Sequence, residues 1–181
     1  MSEIASPVVL PLQTTLRGGR AVLLREICEA DRAGVIEAFT HLSDASRYTR
    51  FMGLMKTLPD ALLDDAVHSE PGHDFALVAM AVPGEGLIGG ARYVEIPDRG
   101  ACEFAITLLD AWQGQGLARL LLQTLIGHAR TTDIRTMEGY VLATNRPMRG
   151  LAHRLGFSDA PCPDDPTVRI VTLALQALPR S

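Results

Sequence analysis

Two spacings of apolar residues alternate along this chain, one close to 3.6 residues and one of two, and their order sets the architectural expectations. Thr14-Thr-Leu-Arg-Gly-Gly-Arg-Ala-Val-Leu-Leu-Arg25 reads as two short extended runs around Gly18-Gly19, a pair that accepts the positive φ angles of a tight turn. The ordered fold is therefore expected to open with a β-hairpin. Val35, Ile36, Phe39 and Leu42 share one helical face and Asp31 favours its positive end, which predicts an amphipathic helix over about 29–42. The stretch from Leu42 to Gly53 is polar and turn-rich until Phe51 and Met52, so a loop leading into a short helix is expected there. Pro59 suits the first turn of a second helix, with Leu62, Leu63, Ala66 and Val67 as its buried stripe.

From Phe75 to Val82 the chain is a dense apolar strand. Turns at Gly84 to Gly86 and at Pro97 to Gly100 return it through strands at Leu87 to Ile96 and Ala101 to Leu108, an antiparallel meander. The period then changes: Leu117, Leu120, Leu121, Leu125 and Ile126 recur at helical spacing, giving a helix from about Gln115 to Arg130. A strand at Met137 to Thr144, a short helix at Asn145 to Leu155 and a last strand at Thr167 to Leu175 follow. A strand, helix, strand unit normally pairs its strands in parallel through a right-handed crossover. The expected fold class is thus α/β of the α+β kind: a mixed, mostly antiparallel twisted sheet with a central parallel strand pair and helices on both faces.

Bulk properties narrow the function classes. The 181 residues fit a single domain over 1–181, with 1–11 expected as a loosely ordered N-terminal segment. The start MSEIASPVVLPL has no basic leader region, carries Glu3 early and interrupts its apolar run with Pro7 and Pro11, so no signal peptide is expected and a cytoplasmic chain is. A mean hydropathy of +0.13 comes with no run long enough to span a membrane. A net charge of −4 lacks the basic footprint that nucleic-acid binding requires, and it is compatible with a cationic or amine substrate. Cys28, Cys102 and Cys162 match no metal-ligand spacing, so no metal is expected.

The segment DAWQGQGLARLLLQ stands at the junction of the third meander strand and the leucine-rich helix. Within Gln113-Gly114-Gln115-Gly116-Leu117-Ala118, several backbone N–H groups converge without bulky side chains at the positive end of a helix, an arrangement suited to a diphosphate. The alternative is that Gly114 and Gly116 only make a sharp turn and Ala118 only packs closely. The segment is not a Walker A loop, because no Gly-Lys-Ser/Thr follows, and it lacks the third glycine of the dinucleotide fingerprint.

This run resembles the acyl-CoA signature of the GNAT superfamily of N-acetyltransferases, Gln/Arg-x-x-Gly-x-Gly/Ala, filled by Gln113, Gly116 and Ala118. The resemblance extends to Glu103-Phe-Ala-Ile-Thr-Leu108, to Gly139-Tyr-Val-Leu-Ala-Thr-Asn-Arg-Pro-Met148 and to Arg154-Leu-Gly-Phe157, which occur in the family's order. Leu42 to Phe51 is similar to a segment of bacterial protein-lysine acetyltransferases and their stand-alone relatives. The resemblance implies a GNAT-like sheet and direct transfer of an acetyl group from acetyl-CoA to a primary amine, with a protein lysine or a small amine, antibiotic or metabolite as acceptor. It also allows a homodimer.

The family pattern implies a site residue by residue. Ile106, Thr107 and Leu108 would offer backbone groups to the pantetheine arm where the central strands splay. Gln113, Gly114, Gln115, Gly116, Leu117, Ala118 and Arg119 would hold the diphosphate, Arg119 alternatively pointing to solvent. Asn145, with Met148, would meet the CoA chain, and Asn145 is also a natural helix N-cap. Glu103 matches the position of the family's catalytic glutamate, while a solvated strand carboxylate or an ion-pair partner is the other reading. Arg47, Tyr48, Arg50 and Phe51 fall where the family walls its acceptor cleft; alternatively the arginines are solvated and Phe51 is core. The tyrosine that many members use to protonate the thiolate is replaced by Ala152, beside His153, which keeps open a CoA-binding sensor or interaction module without turnover. Trp112 is expected to anchor its loop, Asp110 to serve a turn, and Tyr93 and Tyr140 to pack.

Overall fold

The computed structural model describes residues 8–84 and 86–175. Eight strands form one sheet in the order β1-β2-β3-β4-β5-β6-β8-β7, made of β1 (Leu12–Thr15), β2 (Ala21–Glu26), β3 (Asp74–Val82), β4 (Leu87–Ile96), β5 (Ala101–Leu108), β6 (Thr136–Leu142), β7 (Ser158–Pro161) and β8 (Val168–Ala174). The hairpin and the meander pair antiparallel as expected, with Gly19 at φ 79° in the first turn. β5 and β6 run parallel, and β8 returns antiparallel between β6 and β7.

Helices α1 (Arg32–His41), α2 (Asp44–Phe51) and α3 (Asp60–Val67) precede the meander; α4 (Leu117–Ala129) joins β5 to β6, and α5 (Arg146–Arg154) follows β6. Strand alternation sends Phe75, Leu77 and Ala79 to one face, where they meet Leu117, Leu121, Leu122 and Leu125 of α4 in the main core cluster. Ala76 and Val78 are buried on the other face, which α1 to α3 cover. The mixed sheet with helices on both faces is the expected architecture.

The parallel ladder is short. Its register runs only from Ala101↔Thr136 through Glu103↔Glu138, after which β5 continues along β4 and β6 along β8. The sheet therefore forks at Glu103. Gly139 is where the fork begins to open: a Cβ built there would sit 2.5 Å from Phe104 Cε1, so the Phe104 ring lies on bare backbone. Phe157 closes on the same ring edge-on, centroid to centroid 5.5 Å.

Some expectations fail for identifiable reasons. The polar run after Leu42 is helical, not a loop: Ser43 Oγ accepts the Ser46 N–H at 3.1 Å, and Arg47 donates to the carbonyls of Phe39 and Thr40, so polar bonds do the work of an apolar stripe. Ile36 and Leu62, expected to be buried, are 45% and 37% exposed; Leu62 borders a cavity that the layer of α1 to α3 surrounds, and Ile36 lies outside that lining. Tyr140 is 39% exposed, because alternation puts it on the face of β6 opposite its core residues Met137 and Val141. β7 gave no periodic signal, being a four-residue edge strand that ends in proline. Of the N-terminal segment expected to be loose, residues 1–7 lie outside the described residues, while Leu10 packs against the core cluster.

Gly139→Ala forces the Phe104 ring out of its seat and is expected to cost about 1–3 kcal/mol of stability, read as a lower urea midpoint. An unchanged midpoint would show that the fork has slack at this point.

Candidate active site

The open side of β5 can be assigned from hydrogen-bond phase. Leu109 N–H donates to Ile88 O at 2.9 Å, which makes the pair a hydrogen-bonded one of the β4/β5 ladder. By alternation the backbone groups of Thr107 and Ala105 also face β4, whereas those of Phe104, Ile106 and Leu108 face the side that β6 has left. Ile106 and Leu108 thus present free backbone donors and acceptors to the fork. Thr107 differs, since its backbone turns to β4 and its hydroxyl accepts from Arg50 Nε at 3.1 Å on the α2 side.

β5 and β6 are parallel, so their C-terminal ends open on the same edge of the sheet, and the segments that follow them converge there. After β5 comes the glycine loop. Gly114 and Gly116 have φ of 73° and 95°, and a Cβ on either would meet nothing within 4 Å. Gly116 caps α4 without a side-chain bond, and the N–H groups of Gly114 through Arg119 donate to no backbone carbonyl among the described residues. A row of unused donors at the positive end of a thirteen-residue helix fits an anion such as a diphosphate. Leu117 is fully buried and fixes the helix start, Ala118 is partly buried, and Arg119 is exposed and forms no ion pair among the described residues.

Side chains hold this loop from beneath. Trp112 is buried in the core, the Arg20 guanidinium lies 3.2 Å from its ring centroid, and Arg20 Nη1 donates to Ala111 O. Gln115 Nε2 donates to the same carbonyl, while Gln115 O accepts from Arg17 N–H. The Gln115 backbone carbonyl thus ties the loop to the hairpin, while its side chain bonds within the loop and packs against Gly18. Gln113 is exposed and donates to Ser46 Oγ at 3.2 Å.

After β6, Asn145 Oδ1 accepts the Met148 N–H at 3.2 Å and caps α5. Met148 is half-buried against the core. Ala152 is fully buried and His153 is exposed. Tyr93 is buried, its hydroxyl 2.8 Å from His128 Nδ1.

Glu103 sits at the vertex of the fork, paired in register with Glu138. Among the described residues it forms no ion pair within 4 Å, although Arg50 acts on it electrostatically. Partial burial raises its pKa above the ordinary 4.5, Glu138 raises it further, and Arg50 opposes them. Glu138 itself is buried and meets Arg99 at 3.4 Å.

On the Glu103 face, α1, α2 and α3 enclose a cavity of about 210 Å³ over β3 to β5, lined by Phe39, Phe51, Leu62, Leu87 and Thr107, with Arg50 and Arg92 as its cations. Of the residues expected at this wall, Arg50 and Phe51 line it, Arg47 ties α2 to α1, and Tyr48 is exposed. Sequence reasoning missed the role of Asp110. Its carboxylate accepts from Ser43 N–H, Ser43 Oγ and Ser46 Oγ at 3.0, 2.9 and 2.6 Å, pinning the start of α2 to the loop that leads into the nest. Burial works to raise the Asp110 pKa, and the bonds from Ser46 and Ser43 outweigh it, leaving the group below its usual range. Contacts 64 to 67 residues apart in the chain leave no local pattern to read. Among the described residues there is no cluster of three metal-ligating side chains, and no helix long and apolar enough to cross a membrane.

Comparison with known proteins agrees with this geometry. Residues 21–158 match the family model described as acetyltransferase (GNAT) domain. The chain is 38% identical over 163 residues to Acetyltransferase PA5475 of Pseudomonas aeruginosa, spanning 89% of this chain and 88% of that protein. The fold is shared with the GNAT domain of S. lividans PAT (TM-score 0.83, 24% identity, 91% of this chain and 96% of that one). It is shared too with yncA, described as a putative acetyltransferase from Salmonella typhimurium with its cofactor acetyl-CoA (TM-score 0.68, 23% identity, 88% and 96%).

Asp110→Ala removes the acceptor of three hydrogen bonds at the start of α2. Amide exchange across residues 43–47 is expected to accelerate by about tenfold or more, the equivalent of one charge-assisted bond of roughly 1.5 kcal/mol, with the amides of β3 to β5 unchanged. Unaltered exchange in α2 would show that other contacts dock it.

Proposed function

The chain belongs to the GNAT acetyltransferase family, and on that premise we propose that it transfers an acetyl group from acetyl-CoA to a primary amine by direct attack. The observation that carries this reading is the pairing of an open backbone edge on β5 with a nest of unused N–H groups at the same end of the fork. Bound acetyl-CoA supplies an activated thioester acyl group. The N–H groups of Gly114 to Arg119 hold its diphosphate, with Gln113 at the rim of that nest. Ile106 and Leu108 hold the pantetheine arm as an additional strand would be held, with Asn145 and Met148 on the opposite wall. One of the free β5 amides aimed at an acyl oxygen stabilises the negative charge that develops there. Thr107 faces the acceptor with its hydroxyl.

Glu103 serves as general base, acting through water. An alkyl amine of lysine type has a reference pKa of about 10.4, so it arrives protonated and must lose that proton before it can attack. A carboxylate at the vertex of the fork, its pKa raised by burial and by Glu138 against the opposing Arg50, is a better proton acceptor than an ordinary glutamate. The leaving thiol has a reference pKa of about 8.5, so the thiolate departs with water as its proton source, α5 offering Ala152 in place of a hydroxyl.

Two classes of acceptor remain, each with its own support. The likeness of Leu42 to Phe51 to protein-lysine acetyltransferases favours a protein lysine. The cavity of about 210 Å³ over β3 to β5 favours a small amine, since sites for drug-sized ligands run to about 300–1,000 Å³.

Thiol release from acetyl-CoA across a panel of primary amines tests the reaction. Glu103→Gln is expected to lower kcat/KM by about 100-fold or more at neutral pH. Because the Glu103 pKa is raised, activity of the unaltered protein should fall on acidification at a pH above the ordinary glutamate value of 4.5, as the base protonates. The variant should lose that acid limb. Full activity and an unchanged profile in Glu103→Gln would remove it from the mechanism.

A further inference from the structure

The acceptor cavity contains a guanidinium, that of Arg50, with no ion pair among the described residues. Arg50 projects from the last turn of α2 into a wall made of Phe39, Phe51, Leu62 and Leu87. Its Nε donates to Thr107 Oγ1, and the Phe51 ring lies 4.9 Å from its guanidinium carbon. Among the described residues it forms no ion pair. The other cation of the cavity, Arg92, is paired with Asp74 at 3.1 Å and donates to the backbone carbonyl of Asp65, a residue that also lines the cavity, while its buried Nε has no partner. A guanidinium cannot shed its proton under these conditions, so Arg50 remains a fixed positive charge against an apolar wall. Burial, with Arg92 nearby, presses its pKa down and Glu103 presses it up. Such a group is costly to leave unpaired, and a planar fork of donors fits a carboxylate.

The arrangement along β5 adds a second charge. Glu103 and Thr107 lie on one face of the strand, about 13 Å apart at 3.3 Å per residue, with the Arg50 guanidinium on Thr107. The cavity itself holds the cation, and Glu103, on the same strand face but outside the lining, sets an anion beyond its β5 side, within reach through water. Resting on the acetyl-transfer reading above, we propose that the acceptor is a small apolar amino acid or close amino carboxylate, its carboxylate held by Arg50 and its amine directed toward Glu103. A protein lysine brings only a second cation into a cavity that already holds Arg50, and it leaves the guanidinium unpaired. On transfer, the ammonium first gives one proton through water to Glu103; the neutral amine then forms the amide bond to the acetyl carbon as the carbon–sulfur bond breaks, and its second proton passes through water to the departing CoA thiolate.

The test compares L-alanine, L-valine, L-leucine and L-phenylalanine with their methyl esters, and with a lysine peptide blocked at both termini, reading thiol release and the mass of the product. At least one free amino acid should exceed its ester by about tenfold or more in kcat/KM and should exceed the lysine peptide. Arg50→Gln should raise KM for that acid by about tenfold or more and bring acid and ester close to parity, while Arg50→Lys, which keeps the charge, retains part of the preference. Equal use of acids and esters, preference for the blocked lysine peptide, or acid selectivity unchanged in Arg50→Gln would each overturn the assignment. Failure of every amine to react would count against the acetyl-transfer reading instead. In that case calorimetry of the same acids and esters into CoA-saturated protein still reads the cavity: acid binding that needs Arg50 supports the assignment, and acid and ester binding alike, or neither binding, overturns it.

Discussion

The sheet parts after a parallel ladder of only three residue pairs, and the rest of the site depends on that parting. Had β6 followed β5 to Leu108, the backbone groups of Phe104, Ile106 and Leu108 would be satisfied within the sheet and would have nothing to offer a ligand. The parting is fixed by shape: a phenyl ring on Gly139, and β6 held to β8 over its whole length so that it cannot turn back toward β5. A polar edge inside a sheet is expensive to leave exposed, which is the physical reason to expect a ligand there and not a mere irregularity.

The glycine loop is firm although it is rich in glycine. Arg20 over Trp112, Gln115 against the hairpin and Asp110 under the start of α2 fasten it on three sides, so the unused N–H groups are held in position in advance. The same loop reaches both faces of the sheet. Asp110 links the nest to α2, and α2 carries Arg50 to the acceptor side, so the two halves of the site share one mechanical support.

Much of this was legible in the sequence because it is local. The meander, α4 and the strand after it follow from hydrophobic period, and Gly114 and Gly116 occupy left-handed backbone where a bare turn was expected. Glu103 is singled out by its match to the family's glutamate, whereas its position at the last pair of the parallel ladder is seen only in the sheet. What stayed hidden was made by distant polar contacts or by the absence of contact. No period marks α2, whose stability comes from Ser43, Arg47 and Asp110. Leu62 reads as core because a helical stripe is the same whether it meets packed side chains or a cavity. Arg50 could be placed in the segment that borders the cavity, but its having no ion pair among the described residues is a property of three dimensions.

Amide exchange on the whole protein with and without acetyl-CoA tests the central claim most directly. The account predicts new protection in residues 104–108 of β5 and 114–119 of the loop and helix start, with little change in β1, β7 and β8. Protection confined to other segments, or none at saturating acetyl-CoA, would contradict a fork and nest built to hold it.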